Sequence, residues 1–298
     1  MLQFFKKPNY NIVGKSKIAF IVSIVIILGG IVSLFVQGLN YGVDFAGGAK
    51  MQVKFKESIS AEELRSMFTE KDLGNPEIKS SGENEYMITI NANEIENSDD
   101  LLKEALTGLN YSILQIDKVG PKMGFEMRSN SLQAIGIALL LILIYITIRF
   151  EFKFAIGAVI ALLHDVLVTL AFFSFFQWEF SLPVLAAFMT IVGYSLNDTI
   201  VVYDRIRENI KIHKGKPLKE VINLSVNQSL ARTIITSLTT FVVVLILAIF
   251  GGQVLFGFSI AMVVGVIVGT YSSMFVAAPI LIAWEHRFKE KEGKDKKK

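Results

Sequence analysis

Six apolar runs, each close to the length that a helix needs to cross a bilayer, dictate what this chain can become. The first, Ile18 to Val36, is followed by a long polar stretch. The other five come in close succession: Ser131 to Ile148, Phe154 to Phe176, Ser181 to Tyr203, Leu230 to Phe250 and Phe256 to Trp284. Lipid admits such runs as helices, because each backbone N–H and C=O must be satisfied inside the segment that carries it. The expected fold is an α-helical polytopic membrane protein with six transmembrane helices, arranged one plus five, and a folded insertion between the first two. A hydrophobic fraction of 52% beside a charged fraction of 19% requires the charge to be segregated. The expected organisation is an N-terminal segment 1–17, a first span 18–37, an insertion 38–130, a five-helix bundle 131–284 carrying a loop at 204–229, and a basic tail 285–298.

Charge placement sets the orientation. Lys6, Lys7, Lys15 and Lys17 precede the first span; Arg149 and Lys153 lie between the second and third. Six more basic residues, Arg205 to Lys219, lie between the fourth and fifth, and Lys294 to Lys298 close a basic tail. The turns on the other side, 177–180 and 251–255, carry no Lys or Arg. The positive-inside rule puts both termini in the cytoplasm and the insertion outside it, as expected of a multi-pass protein of a bacterial-type cytoplasmic membrane. The first run lacks a small-residue cleavage pattern after Val36 and reads as an uncleaved anchor. The insertion holds 10 basic and 16 acidic residues, so the overall charge of +3 divides into an acidic outer domain and a basic inner face. Anionic lipid, not nucleic acid, is the partner that such a face suits.

The absence of cysteine removes disulfide, thiolate and Cys-based metal chemistry, and three widely separated histidines offer no metal site; no cofactor is expected. Gly14-Lys15-Ser16 resembles the end of a phosphate-binding loop, but Asn9 stands where its first glycine would be.

Inside the insertion, Met51 to Phe55 alternates as a strand does, and Ser60 with Glu63 forms a capping-box pattern ahead of Leu64, Met67 and Phe68. After a break at Gly74-Asn75-Pro76 come strands at Glu77 to Ser80 and Tyr86 to Ile90. A helix capped near Ser98 or Asp99 and a strand from Ser112 to Val119 complete the series. The order β-α-β-β-α-β is that of a ferredoxin-like α+β domain. It contains no catalytic constellation, so the protein is not expected to be an enzyme.

Ionisable residues within spans are functional candidates, because lipid penalises them. Asp165 lies mid-way along the third span beside His164. Asp198, preceded by Asn197, lies about 8 Å inside the basic edge of the fourth span at the helical rise of ~1.5 Å per residue. Arg232 opens the fifth at a depth from which its guanidinium can reach Asp198, a pairing able to hold or release a proton as helices shift. Thr233, Thr236, Ser237 and Thr240 carry hydroxyls along that same helix. In the sixth span Gly257, Ala261, Gly265, Gly269, Ser273 and Ala277 recur every four residues, a stripe suited to close helix packing. Pro279 is placed to kink that helix. Pro217 is expected to open a short amphipathic helix through Val221, Ile222 and Leu224 along the membrane surface. Ser195 and His164 are the only pair that an intramembrane hydrolase could use, and their expected depths differ.

Several of these pieces together resemble the SecD/SecF family of the resistance-nodulation-division superfamily. They are Tyr41-Gly42-Val43-Asp44-Phe45-Ala46-Gly47-Gly48, Val119-Gly120-Pro121, Arg149-Phe150-Glu151, Leu163-His164-Asp165-Val166, the run from Gly193 to Asn209, Asn227 to Thr233, and Gly269 to Ser273. The resemblance implies an ancillary subunit of the Sec protein-export machinery. It further implies a SecD-like partner, association with the SecYEG channel, and use of the proton-motive force to act on a translocating polypeptide. It places Asp198 and Arg232 in a proton path, with Asn197 and Asp165 beside it. It also gives Asp44, Gly47 and Gly48 a coupling role, which the freedom of glycine to redirect a chain makes physically reasonable. An exporter of lipids or drugs from the same superfamily is the competing expectation.

Overall fold

The computed structural model describes residues 9–71, 76–91 and 98–284. Lys6, Lys7, the break at Gly74-Asn75, the Ser98 and Asp99 side chains and the basic tail lie outside the described residues.

Among the described residues six helices are long and apolar enough to cross a membrane: α1 Ile12–Val36, α5 Pro121–Arg149, α6 Phe152–Phe176, α7 Leu182–Ile212, α8 Leu218–Phe250, and α9 from Gly252, which continues to Trp284. The chain is a multi-pass membrane protein. Burial separates the six. About half of the most apolar stretch of α6 and α7 is buried (56% and 50%), against 6% for α5 and 17% for α8. The interior is therefore built on α6, α7 and α9, with α5 and α8 leaving most of their apolar surface uncovered by this chain.

Local chemistry sets the helix ends. Asn11 caps α1, its side chain accepting from the Gly14 N–H at 2.8 Å, so the helix starts before the apolar run does. Asn227 then holds the preceding segment by both its polar atoms, accepting from Tyr10 N and donating to Tyr10 O at 2.8 and 2.9 Å. Pro121 opens α5, where its missing N–H costs nothing. Near its end α9 widens into a π-helical turn, Ser273–Ala277, immediately before Pro279, whose ring and missing N–H disturb the preceding turn.

Two expectations fail at the basic end. The stretch 204–229 is mostly helix: α7 runs on to Ile212, α8 begins at Leu218, and only 213–217 is a connection. Nor does a separate helix lie along the surface after Pro217. Pro217 caps one continuous 33-residue helix whose Ile222 and Val226 enter the same core as Tyr203 and Ile206 of α7, with Val221 buried as well. The apolar pattern there faces α7, and the Asn209 amide fixes the pair by donating to Ser225 Oγ at 2.9 Å and Gln228 Oε1 at 2.8 Å.

The insertion holds α2 Val43–Ala46, β1 Gly48–Phe55, α3 Ala61–Glu70, β2 Glu77–Gly82, β3 Glu85–Asn91, α4 Ser98–Ala105 and β4 Tyr111–Val119. The strands form one antiparallel sheet in the order β2-β3-β1-β4, which is the ferredoxin-like arrangement. Alternation along β1 buries Ala49, Met51, Val53 and Phe55 against Leu64, Phe68, Leu102 and Leu106. It turns Lys50, Gln52 and Lys54 to the opposite face. β4 is an edge strand with Ile113, Leu114 and Ile116 exposed.

The capping box of α3 forms in full: Ser60 Oγ accepts from Glu63 N at 3.1 Å, and Glu63 Oε2 accepts from Ser60 N at 2.8 Å. The Ser60 backbone N–H, and then its hydroxyl, hold the Glu63 carboxyl below its ordinary value. Ser60→Ala should weaken α3 by about 1 kcal/mol, read as roughly fivefold faster hydrogen exchange of its amides in the intact chain. Because the folded state binds this proton less readily, the Glu63 contribution is complete above the ordinary carboxylate range and is lost as pH falls through the folded-state value.

Candidate functional site

The bundle interior holds two carboxylates with different surroundings. Asp165 of α6 is fully buried and satisfied on both oxygens: Oδ2 accepts from Ser195 Oγ of α7 at 2.5 Å and Ser272 Oγ of α9 at 2.8 Å. Its Oδ1 lies 2.9 Å from His164 Nδ1. On the far side of the ring, Nε2 meets Ser23 Oγ of α1 at 2.8 Å, and Ser23 meets Tyr271 OH at 3.0 Å. Tyr271 also stacks against His164, 5.9 Å between centroids. Proton directions follow from one end of this chain. Tyr271 OH donates to the Ala19 carbonyl at 2.6 Å, so Ser23 donates to Tyr271 and His164 Nε2 donates to Ser23. Nδ1 and Oδ1 then share the proton of the hydrogen bond between them. Four helices are thus joined through one polar cluster.

Asp198 of α7 is also buried, with far less support. Oδ2 accepts from Ser237 Oγ of α8 at 3.2 Å, and Ser237 in turn accepts from Thr270 Oγ1 of α9 at 2.6 Å. Among the described residues no cation reaches it. Among the described residues the hydroxyls of Thr199, next to Asp198, and of Thr233, one turn before Ser237 on α8, are buried without a partner. Arg232, expected at Asp198, is exposed on α8 and makes no ion pair with it among the described residues; the buried face of that helix is the one carrying Thr233 and Ser237. Asn197 is exposed on α7. The structure therefore brings together Asp198, Ser237 and Thr270, and leaves Arg232 and Asn197 facing outward. The hydroxyls of α8 divide accordingly: Thr236 and Thr240 bond back to their own helix, and only Ser237 reaches a carboxylate.

The hydrolase arrangement is not supported. Ser195 and His164 do meet one level of the bundle, contrary to their expected depths, but Ser195 donates to Asp165. Both imidazole nitrogens are engaged elsewhere, and a nucleophilic serine needs the imidazole as its base.

The small-residue stripe of α9 fits the path of α7. A Cβ on Gly257 would come within 2.9 Å of Val184, one on Gly269 within 3.0 Å of Ser195, and one on Gly265 would run into Ile191. Ala261 and Ser273 are buried on the same helix. This close approach is what lets Ser272 and Thr270 reach across to the level of the two carboxylates.

The segment after α1 is bound to the head of α7. Asp44 Oδ2 accepts from the N–H of Leu182, the first residue of α7, at 2.8 Å. Gly42 N donates to Phe180 O at 2.9 Å and Phe180 N to Asn40 O at 2.7 Å, and Lys50 pairs with Glu179 at 2.7 Å. Gly47 and Gly48 take φ of 78° and 143°, turning the chain from α2 into β1. Gly124 of α5 packs so closely on this turn that a Cβ would lie 3.0 Å from the Phe45 carbonyl.

Comparison with known proteins agrees with this architecture. Residues 98–287 match the model described as "Protein export membrane protein SecD/SecF, C-terminal", and residues 32–59 match the "SecD/SecF GG Motif". The chain belongs to the SecD/SecF family. Among relatives of this SecD/SecF chain, the protein translocase subunit SecF of Rhodothermus marinus is 44% identical over 94% of the chain and 95% of the relative. That of Desulfurispirillum indicum is 44% identical over 91% and 90%. The crystal structure of SecDF from Thermus thermophilus superposes with a TM-score of 0.85 at 36% identity, covering 94% of this chain and 39% of that one. This chain therefore spans about two fifths of the SecDF polypeptide.

What the sequence left unseen in this SecD/SecF bundle are the partners of the carboxylates: Ser23, Ser195, Ser237, Thr270 and Ser272. The available signal was that each inward-facing span carries a hydroxyl at matching depth. Gly265→Val should cost about 1–3 kcal/mol by overpacking against Ile191, with part of the loss restored by Ile191→Ala, measured by thermal unfolding in detergent. Gly47→Ala, at φ 78° and ψ 154°, should cost a further ~1–3 kcal/mol in the same assay, because that region suits glycine alone.

Proposed function

We propose that this chain is the SecF-type half of an ancillary motor of the Sec export machinery. It would pair with a SecD-like subunit, associate with the SecYEG channel and use the proton-motive force to promote movement and release of secreted polypeptides. In this reading both termini are cytoplasmic, the membrane is a bacterial-type inner membrane, and the ferredoxin-like domain works on its outer side.

The observation that carries the reading is the state of Asp198. A carboxylate in the bundle whose one hydrogen-bond partner among the described residues is a hydroxyl is costly when ionised, ~2.5 to 3.5 kcal/mol on insertion scales, unless it takes up a proton or a cation approaches. Asp165, held by donors from three helices and sharing a proton with His164, is suited to fix α6, α7 and α9 in register, and Asp198 is suited to exchange. The exposed Arg232 faces the same penalty in lipid, which speaks for a second chain covering α7 and α8. The fused SecDF relative, the bare apolar surfaces of α5 and α8 and the open β4 edge favour a SecD-like occupant. A proton crossing 100 mV releases about 2.3 kcal/mol, comparable to the cost of that single buried charge.

Coupling would run along α7. Asp198 sits near the middle of this helix, and Asp44 grips its first residue, Leu182. A shift of α7 therefore draws on the Gly47-Gly48 turn and on β1, and the insertion follows as a unit. Asp198→Asn should lower export of a slow-folding reporter in cells with a normal proton gradient to the rate seen without this subunit, while the variant still accumulates in the membrane with its partner. Export at the wild-type rate would refute proton coupling through Asp198.

A further inference from the structure

At the basic end of the bundle, Phe150 joins α5 to α6 with its ring buried. Two guanidiniums lie over that ring: Arg149, the last residue of α5, at 5.0 Å from its centroid, and Arg207 of α7 at 5.2 Å. Between them stands a single carboxylate, Asp204, at 3.5 Å from Arg149 and 3.8 Å from Arg207. Both contacts are too long for strong charge-assisted hydrogen bonds, which close to about 2.7–2.9 Å. Each guanidinium has five N–H donors. Among the described residues the only hydrogen bond either makes is Arg149 to Asp204, at the limiting distance. Other cations nearby are tightly compensated: Lys153 pairs with Glu151 at 2.6 Å and Arg205 with Glu208 at 2.8 Å. The Arg149–Asp204–Arg207 group is thus left with one positive charge in excess and a surplus of donors, fixed in place by an aromatic floor.

Its surroundings are apolar. Ile148 is 82% exposed, Tyr145 53% and Phe152 59%, and all three lie within about a turn of Arg149 on the helices that end here. Phe152 also packs edge-on against Trp284, 6.3 Å between centroids, in the manner of an aromatic belt at a membrane surface. A ligand that fits both halves carries a singly charged phosphodiester and long acyl chains.

We infer that Arg149 and Arg207, held over Phe150, form a binding site for the phosphodiester of an anionic phospholipid, with its acyl chains lying along Ile148, Tyr145 and Phe152. The guanidiniums donate to the phosphate oxygens, and Asp204 holds the two forks apart and blocks a second anion. Zwitterionic lipid is disfavoured, because its own ammonium cancels the charge of its phosphate and so removes the net attraction to the site's single positive charge. The site is independent of proton coupling at Asp198 and should persist in Asp198→Asn.

The test is native mass spectrometry of the full-length protein released from detergent with added phosphatidylglycerol or phosphatidylcholine. The wild-type chain should retain a first phosphatidylglycerol at concentrations where phosphatidylcholine is lost. Two arginines near the surface contribute ~1 kcal/mol each, so R149Q/R207Q should weaken that first adduct by about tenfold or more. R205Q, which removes an already paired guanidinium, should leave it unchanged. R149K/R207K keeps the charge and loses the stacked forks; should the double glutamine variant not fold, an intermediate affinity for the lysine variant supports the site and a wild-type affinity overturns it. Undiminished phosphatidylglycerol binding by R149Q/R207Q, or equal retention of phosphatidylcholine by the wild type, would overturn the assignment. So would displacement of the lipid by millimolar inorganic phosphate, which would make this a site for the free anion.

Discussion

A hydrogen-bonding group that faces lipid has no water to fall back on, and most of this structure follows from that. Polar side chains in the bundle have to find one another, and they do so where helices approach closely. Gly265 against Ile191 and Gly269 against Ser195 seat α9 closely on α7, and from the same helix Ser272 reaches Asp165 of α6 and Thr270 reaches Ser237 of α8. Close packing and polar satisfaction go together here, and without the hydroxyls Asp165 has no tenable position.

The same constraint separates the two carboxylates. Asp165 draws donors from α6, α7 and α9, and its histidine extends the cluster to α1. Asp198 has one hydroxyl at 3.2 Å. A group so fully held belongs to the scaffold, whereas one so thinly held can change its proton occupancy with little rearrangement. That contrast, together with the grip of Asp44 on the first residue of the helix carrying Asp198, underlies the proposed coupling between the bundle and the ferredoxin-like domain.

Much of the architecture was legible in the chain, because it rests on patterns local to a segment. The six spans, the strand alternation at Met51 to Phe55 and the Ser60–Glu63 capping box each depend on neighbours within a few residues, and each appears in the structure. The surface-helix reading after Pro217 and the pairing of Arg232 with Asp198 failed for the opposite reason. Val221 and Ile222 carry the amphipathic pattern of a surface helix, but both are buried in the bundle, and Ile222 packs into the core that it shares with α7, a fact that no local window contains. Arg232 and Asp198 were matched by depth, yet a helix turns about 100° per residue, so Thr233 and Ser237 take the face towards Asp198 and Arg232 points away.

Sequence alone determined that this chain crosses a membrane six times, that its insertion is a β-α-β-β-α-β domain, and that Asp165 and Asp198 are ionisable residues within spans. Hydrophobic length, period and residue type fix those properties segment by segment. Tertiary structure decided which hydroxyls serve which carboxylate, that Asp44 binds the head of α7, and that Arg149 and Arg207 meet over one ring. These pairings join residues up to about 250 positions apart, as between Ser23 and Tyr271, and rotation about each helix axis, set by packing against the others, selects them.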